Sequence, residues 1–213
     1  MRFESLLRVV GDEPVFPTGL LLAGALSRSD VERQLSRWVS VGRLWQLRRG
    51  WYALAPPYQR VKPHPFAVAN RLVAGSYVSG QSALAHLGLI PEHVPVVTSV
   101  ASARPARWQT PLGTFVFQHR KPSAIHGFRL VDLGAGQKGF VATAEKALLD
   151  LVALTPGADA PRYLRELRLQ GLEHLDVAAL SRLADRARSP KLRRAADTIA
   201  ALARQESEEY EPL

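Results

Sequence analysis

The stretch Phe16-Pro17-Thr18-Gly19-Leu20-Leu21-Leu22-Ala23-Gly24-Ala25-Leu26-Ser27-Arg28-Ser29-Asp30-Val31-Glu32-Arg33-Gln34-Leu35-Ser36-Arg37-Trp38-Val39, with its continuation Gly42-Arg43-Leu44-Trp45-Gln46-Leu47-Arg48-Arg49-Gly50-Trp51-Tyr52-Ala53-Leu54, decides the reading of the N-terminal part of the chain. It predicts a short helix, a tight turn, a longer helix and a two-stranded hairpin. In the longer helix Val31, Leu35, Trp38 and Val39 recur at i, i+4, i+7 and i+8, one apolar stripe of a helix. Ser29, Arg33, Ser36, Arg37 and Ser40 project from the other side. Ser27 or Ser29 is placed to cap the start, with Glu32 at capping-box spacing from Ser29. Gly42 is placed to end the helix in a left-handed conformation.

The hairpin follows from Leu44-Trp45-Gln46-Leu47 and Trp51-Tyr52-Ala53-Leu54, with Arg48-Arg49-Gly50 as the turn and glycine supplying a positive φ. Helix, turn, helix and hairpin in this order are the layout of a winged helix-turn-helix. In that arrangement the second helix enters the major groove, where arginine is the commonest reader of guanine. Arg33 and Arg37, with Ser29 and Gln34 nearby, are expected to read or flank the major groove. Arg48 and Arg49 are expected to touch the backbone or the minor groove from the hairpin tip, and Arg28 and Arg43 to hold phosphates.

Charge agrees with a polyanionic partner. The 213 residues carry a formal net charge of +9. Between Leu26 and Arg60, seven arginines stand against only Asp30 and Glu32, so the surplus is concentrated in and just after the predicted DNA-reading elements. There is no cysteine, which excludes disulfides and thiolate-held zinc. The N-terminus is too short and too charged in its apolar run for a signal peptide, and no membrane-length apolar run occurs. The expectation is a cytoplasmic protein without a membrane association.

Prolines cluster from Ala55-Pro56-Pro57 to Pro63-His64-Pro65 and interrupt both helix and strand. They divide the chain into residues 1–57, 62–205 and an acidic, frayed tail over 206–213, with limited contact expected between the first two parts. Beyond the linker, helix is expected over Phe66–Ala74, extended chain at Tyr77-Val78 and a capped helix from Ser79 to Leu87, ended by Gly88. Strands are expected over Pro95–Val100, Gly113–His119, Phe128–Leu133 and Gly139–Ala142. Helices are expected over Glu145–Leu154 and Pro161–Leu169, then after Asp176 and after Ser189-Pro190. The fold class is therefore α+β: an N-terminal winged helix-turn-helix followed by a mixed α/β domain with a helical C-terminal end.

Three pieces of the sequence resemble one family. They are Leu47-Arg48-Arg49-Gly50-Trp51-Tyr52, then Tyr77-Val78-Ser79-Gly80-Gln81-Ser82-Ala83-Leu84 with Gly88-Leu89, and Ala142-Thr143-Ala144-Glu145-Lys146-Ala147-Leu148-Leu149-Asp150-Leu151. Together they resemble the AbiEi family of antitoxins and transcriptional regulators of bacterial type IV toxin-antitoxin systems. The family usually has proline before the Glu-Lys pair, where this chain has Ala144. The resemblance implies a repressor that autoregulates its operon; its double-stranded operator DNA is expected to be an inverted repeat, on which two copies can pair. It also implies that the C-terminal domain counteracts a cognate nucleotidyltransferase-like toxin.

Chemistry of other kinds finds less support. The six histidines, His64, His86, His93, His119, His126 and His174, show no helical ligand spacing. Glu145 and Lys146 project about 100° apart on a helix, so they do not form a pair on one face. A capping role near a helix start suits Glu145 better. Asp-x-Asp, a phosphate-binding Gly-x-x-x-x-Gly-Lys loop and a Gly-x-Ser-x-Gly elbow are all missing. The expectation is a non-enzyme without metal or cofactor. The alternatives are a metal-dependent nuclease or nucleotidyltransferase whose winged helix docks substrate, and a protein-binding adaptor.

Overall fold

The computed structural model describes residues 2–22 and 27–209, the last three of these by backbone alone. The tight turn expected within 23–26, and the tail from Tyr210 onward, lie outside the described residues. The architecture is mixed α/β, with a small sheet near the N-terminus and a large one behind it.

Helix α1 (Phe3–Val10) opens the chain and buries Phe3, Leu6 and Val10. Strand β1 (Phe16–Pro17) leads into a 3-10 turn over Thr18–Leu22, where the sequence predicts a short helix. Helix α2 (Arg28–Ser40) buries Val31, Leu35 and Trp38, the predicted stripe, with Val39 half-buried beside them. Its cap is Ser27, whose Oγ accepts the Asp30 N–H at 3.2 Å and donates to the Asp30 carboxylate at 2.6 Å. The capping partner is thus Asp30 rather than Glu32, because the helix begins two residues before the alternative Ser29 start. Gly42 has φ +72°, the left-handed geometry expected of it.

Strands β2 (Leu44–Arg48) and β3 (Trp51–Leu54) form the hairpin, and β1 pairs with β3 to close a three-stranded sheet in the order β1-β3-β2. The turn is only Arg49-Gly50, since Arg48 is still in β2 and pairs with Trp51. Gln46 pairs with Tyr52, so Leu47 is an extra residue in β2. This bulge reverses the facing of everything after it.

The second sheet has six strands, in the order β6 (Ala106–Thr110), β7 (Gly113–His119), β5 (Val96–Ala101), β4 (Tyr77–Val78), β9 (Lys138–Ala142), β8 (Phe128–Asp132). After α3 (Pro65–Leu72), β4 (Tyr77–Val78) lies inside that sheet, antiparallel to one neighbour and parallel to the other. Helix α4 (Gly80–His86) follows at once, and then β5 (Val96–Ala101), β6 (Ala106–Thr110) and β7 (Gly113–His119). Strand β6 went unread in the sequence, although Ala-Arg-Trp-Gln-Thr before a Pro-Leu-Gly turn has strand alternation. Strands β8 (Phe128–Asp132) and β9 (Lys138–Ala142) complete the sheet. Helices α5 (Ala144–Leu154), α6 (Pro161–Glu166), α7 (Val177–Arg186) and α8 (Pro190–Glu209) form the helical end. Asp176 caps α7 by accepting the Ala179 N–H at 2.7 Å, as its position predicts. Glu206 is not part of a frayed tail. It lies inside α8, and its carboxylate accepts the Gly171 and Leu172 N–H groups, both at 3.1 Å.

The expectation of limited contact across the proline-rich stretch is not met. Val15, Leu47 and Ala53 are buried in the same apolar cluster as the large sheet, with Trp45 and Trp51 packed against it. The ion pair Arg71–Glu13 at 3.4 Å crosses the same boundary, and Arg60–Asp12 at 3.8 Å ties the linker to the first part. The linker itself is fastened down. The Gln137 side chain donates to the Lys62 carbonyl at 3.0 Å and accepts the His64 N–H at 2.7 Å. A second cluster, around Leu6, Phe16, Val31, Leu35, Trp38 and Leu44, fills the space between α1, α2 and the hairpin.

Candidate nucleic-acid interface

Helix α2 is held by its apolar stripe, so its other side must face solvent. Ser29, Arg33, Ser36, Arg37 and Ser40 are all exposed there, and Arg28 is exposed at the first turn, on the side toward the hairpin. The Arg33 side chain is 78% exposed and rests on Asp30 at 3.3 Å, a pairing too solvated to fix it. Gln34 does not join this group. It lies about 100° round the helix from Arg33, toward the buried stripe, and is half-buried.

A cleft separates the start of α2 from the hairpin. Arg28 and Glu32 line one side, Gln46, Arg49 and Tyr52 the other, and Thr18 the floor. The Thr18 N–H donates to the Gly50 carbonyl at 2.9 Å, tying the 3-10 turn to the hairpin tip. Gly50 has φ +80°, which favours glycine at this turn. The Tyr52 hydroxyl is within 3.4 Å of the Gln46 amide, and burial pushes its pKa up. Arg49 is exposed at the tip beside this cleft.

The two arginines of the tip part company. The bulge at Leu47 puts Arg48 on the face of Trp51, away from the cleft. Its guanidinium lies 5.5 Å from the Trp108 ring of β6 and 6.0 Å from Trp51, and its Nε is shut off from water. Arg48 therefore packs, half-buried, between the hairpin and the large sheet, where the sequence leads one to expect a groove contact. Arg43 is also occupied, with its guanidinium 4.8 Å over the Phe3 ring and half-buried.

A set of polar residues that sequence reasoning did not assemble lies deep in the second sheet. Asp150, 1% exposed, accepts from the Tyr77 hydroxyl at 2.8 Å, the Ser79 hydroxyl at 2.9 Å and Lys146 Nζ at 2.7 Å. Lys146 also donates to the Ala124 carbonyl at 2.9 Å. Burial, then the Asp150 charge, raise the Tyr77 phenol far above its ordinary pKa, so it stays a donor. Ser79 precedes α4 but gives its hydroxyl to Asp150 instead of capping that helix. Ser82 accepts the Thr98 N–H and donates to the Val96 carbonyl, both at 2.9 Å, joining α4 to β5. Glu145 sits in the first turn of α5, but its carboxylate accepts the Asp176 N–H at 3.1 Å, at the entry to α7. The signal for the ion pair is the i, i+4 spacing of Lys146 and Asp150 in a helix whose other residues, Glu145 aside, are apolar. Among the described residues no three His, Cys, Asp or Glu side chains gather as a metal site.

No family model matches the chain, and no curated protein matches it. A solved structure, that of the RV2827C protein from Mycobacterium tuberculosis, is similar with a TM-score of 0.55 at 21% identity, covering 92% of this chain and 74% of that one. At that identity the likeness is one of fold.

Proposed function

We propose that this chain is a DNA-binding repressor of the AbiEi type, built on a winged helix-turn-helix and without enzymatic activity of its own. In this reading it is a cytoplasmic protein that controls its own toxin-antitoxin operon by binding operator DNA as a pair on an inverted repeat. Its C-terminal part counteracts a nucleotidyltransferase-like toxin, a role that rests on the resemblance of the Tyr77–Leu84 and Ala142–Leu151 pieces. The observation that carries DNA binding is the exposed stripe of Ser29, Arg33, Ser36, Arg37 and Ser40 on α2, flanked by Arg28 and Arg49 on the two walls of one cleft. A helix presented this way matches the second helix of the motif, and Arg49 the tip of the wing. Buried carboxylates already saturated by protein donors, as Asp150 is, do not serve as metal ligands, which favours this reading over a nuclease.

Binding to duplex DNA from upstream of the chain's own gene, measured over a range of salt, tests it. Each lost phosphate contact lowers the log–log salt slope by about 0.9. Loss of a base-reading arginine costs about 1–3 kcal/mol and relaxes specificity at one base pair. The expected result is that Arg33→Ala, Arg37→Ala and Arg49→Ala each weaken binding while the melting temperature holds. Unchanged affinity in the folded triple variant overturns the assignment. Rescue of growth from the neighbouring toxin, scored in parallel, tests the second role.

A further inference from the structure

We propose that the cavity enclosed by the end of β7, the turn at Pro122–Ala124, α5 and α7 binds a phosphate-bearing small molecule, with Arg120, Lys121 and Arg186 holding the anion. The cavity has a volume of about 500 Å³ and is open to solvent. That size is typical of small-ligand sites. Lys146 and Asp150 form its inner end, and Leu149, Leu183 and Leu192 give it an apolar wall.

Its charge balance is one-sided. Asp150 is the acid of the lining, and its two oxygens are taken by Lys146, Tyr77 and Ser79. Arg120, Lys121 and Arg186 line the same space, and none of them is in an ion pair among the described residues. The Nε of Arg120 is buried and has no hydrogen-bond acceptor among the described residues. A buried donor left unpaired is costly and rare; unlike the Arg48 Nε, which is enclosed beside Trp51 and Trp108, that of Arg120 belongs to a side chain lining an open cavity, where an acceptor can come from outside the chain. Three cations lining one cavity, with its single acid already engaged, suit a group carrying two negative charges and several acceptor oxygens, which is a phosphate monoester. The apolar wall suits the rest of such a molecule, and the hydroxyl of Ser123 stands at the rim.

His126 provides a reporter inside the site. Burial lowers its pKa, with the charges of Lys146, Arg186 and Arg120 adding to the effect and Asp150 opposing it; His119 and Lys121 complete the titratable lining. An anion bound among these cations reverses part of that field, so the His126 midpoint rises on binding.

The experiment is a proton NMR titration of the His126 ring in the full chain, using inorganic phosphate, a sugar phosphate, and nucleoside 5′-monophosphates beside the matching nucleosides. The expected result is a saturable shift and a raised His126 midpoint with at least one phosphate ester, and no effect of the nucleosides. A shift with inorganic phosphate equal in affinity to the esters assigns the site to the phosphate group alone and overturns the role of the apolar wall. Arg186→Ala, at the exposed end of α7, weakens binding about tenfold, the worth of one charged hydrogen bond. Arg120→Gln does the same, and Arg33→Ala leaves it unchanged, which separates this site from DNA binding. No saturable shift with any phosphate compound, or an Arg186→Ala variant that binds as the parent does, overturns the proposal.

Discussion

Arg28, Arg33, Arg37 and Arg49 stand in solvent around α2 and the hairpin tip, and the acid nearest Arg33 is itself 55% exposed. On α5, packed by way of Tyr77 against the second sheet, Lys146 and Asp150 are 5% and 1% exposed and lie 2.7 Å apart. Both regions are rich in charge, yet the physics differs. An exposed arginine keeps its hydration, contributes little to folding and remains available to a polyanion. A buried pair has given up its hydration and depends on its partners. The difference teaches where a substitution is felt. In the first region it alters what the surface can hold, and in the second it alters whether the chain stays folded.

The largest effect that sharpens this comparison is expected at Asp150. Asp150→Ala leaves Lys146 buried without its counter-charge and takes the acceptor from the Tyr77 and Ser79 hydroxyls. The expected cost is about 3–5 kcal/mol. Lys146→Met alone leaves the carboxylate with only the two hydroxyls and is expected to be nearly as severe. The double variant Lys146→Met/Asp150→Leu removes both charges and is expected to be milder than the sum of the two. Denaturant unfolding of the three variants measures this. If Asp150→Ala unfolds like the parent, the buried network does not hold the fold, and the contrast between the two regions fails.

These two regions were also unequally legible in the sequence. Local periodicity shows α2, and the residues proposed to meet DNA stand on its solvent side, so Arg33 and Arg37 could be placed by spacing alone. The Tyr77–Leu84 piece could be seen as a motif, but its purpose was hidden. Tyr77 and Ser79 reach a carboxylate more than seventy positions away, and no local pattern encodes that meeting. Gly80 answers to its own backbone, with φ +57°, whereas Ser82, which links α4 to β5, is explained only once the neighbouring strand is known. The basic cavity has the same cause, since β7, α5 and α7 come together only in the folded chain. Arg48 shows the limit at its smallest scale. One inserted residue, Leu47, turns it from the cleft to the interior, and sequence reading at the level of a hairpin does not detect a bulge.

Arg48 and Arg49 therefore allow the comparison to be broken between adjacent residues. Arg49→Ala is expected to weaken DNA binding by about 1–3 kcal/mol with stability within about 0.5 kcal/mol of the parent. Arg48→Ala is expected to do the reverse. It loses its stacking on Trp108 and Trp51, about 1 kcal/mol, while any change in DNA affinity stays small. Melting curves and binding isotherms on the two variants decide it. Equal losses of affinity would return Arg48 to the exposed set.

The smallest effect concerns a charge that must stay absent. His64 caps α3, with its Nδ1 accepting the Phe66 N–H at 3.2 Å, which requires a neutral ring. Burial lowers the His64 pKa from its ordinary 6.5, and His86 adds to the shift. The unfolded chain therefore takes up this proton first as pH falls. Its contribution to stability is complete above about pH 6.5 and is lost as pH falls toward the lower folded value. The cap itself is worth about 1 kcal/mol. His64→Asn keeps a capping acceptor without a titrating ring, so it is expected to match the parent at pH 8 and to surpass it below pH 6 by up to about 1 kcal/mol. Thermal melts of both proteins across that range measure the difference. Parallel pH profiles would show that the ring is not the acid-sensitive cap and that this interior position tolerates charge as the surface of α2 does.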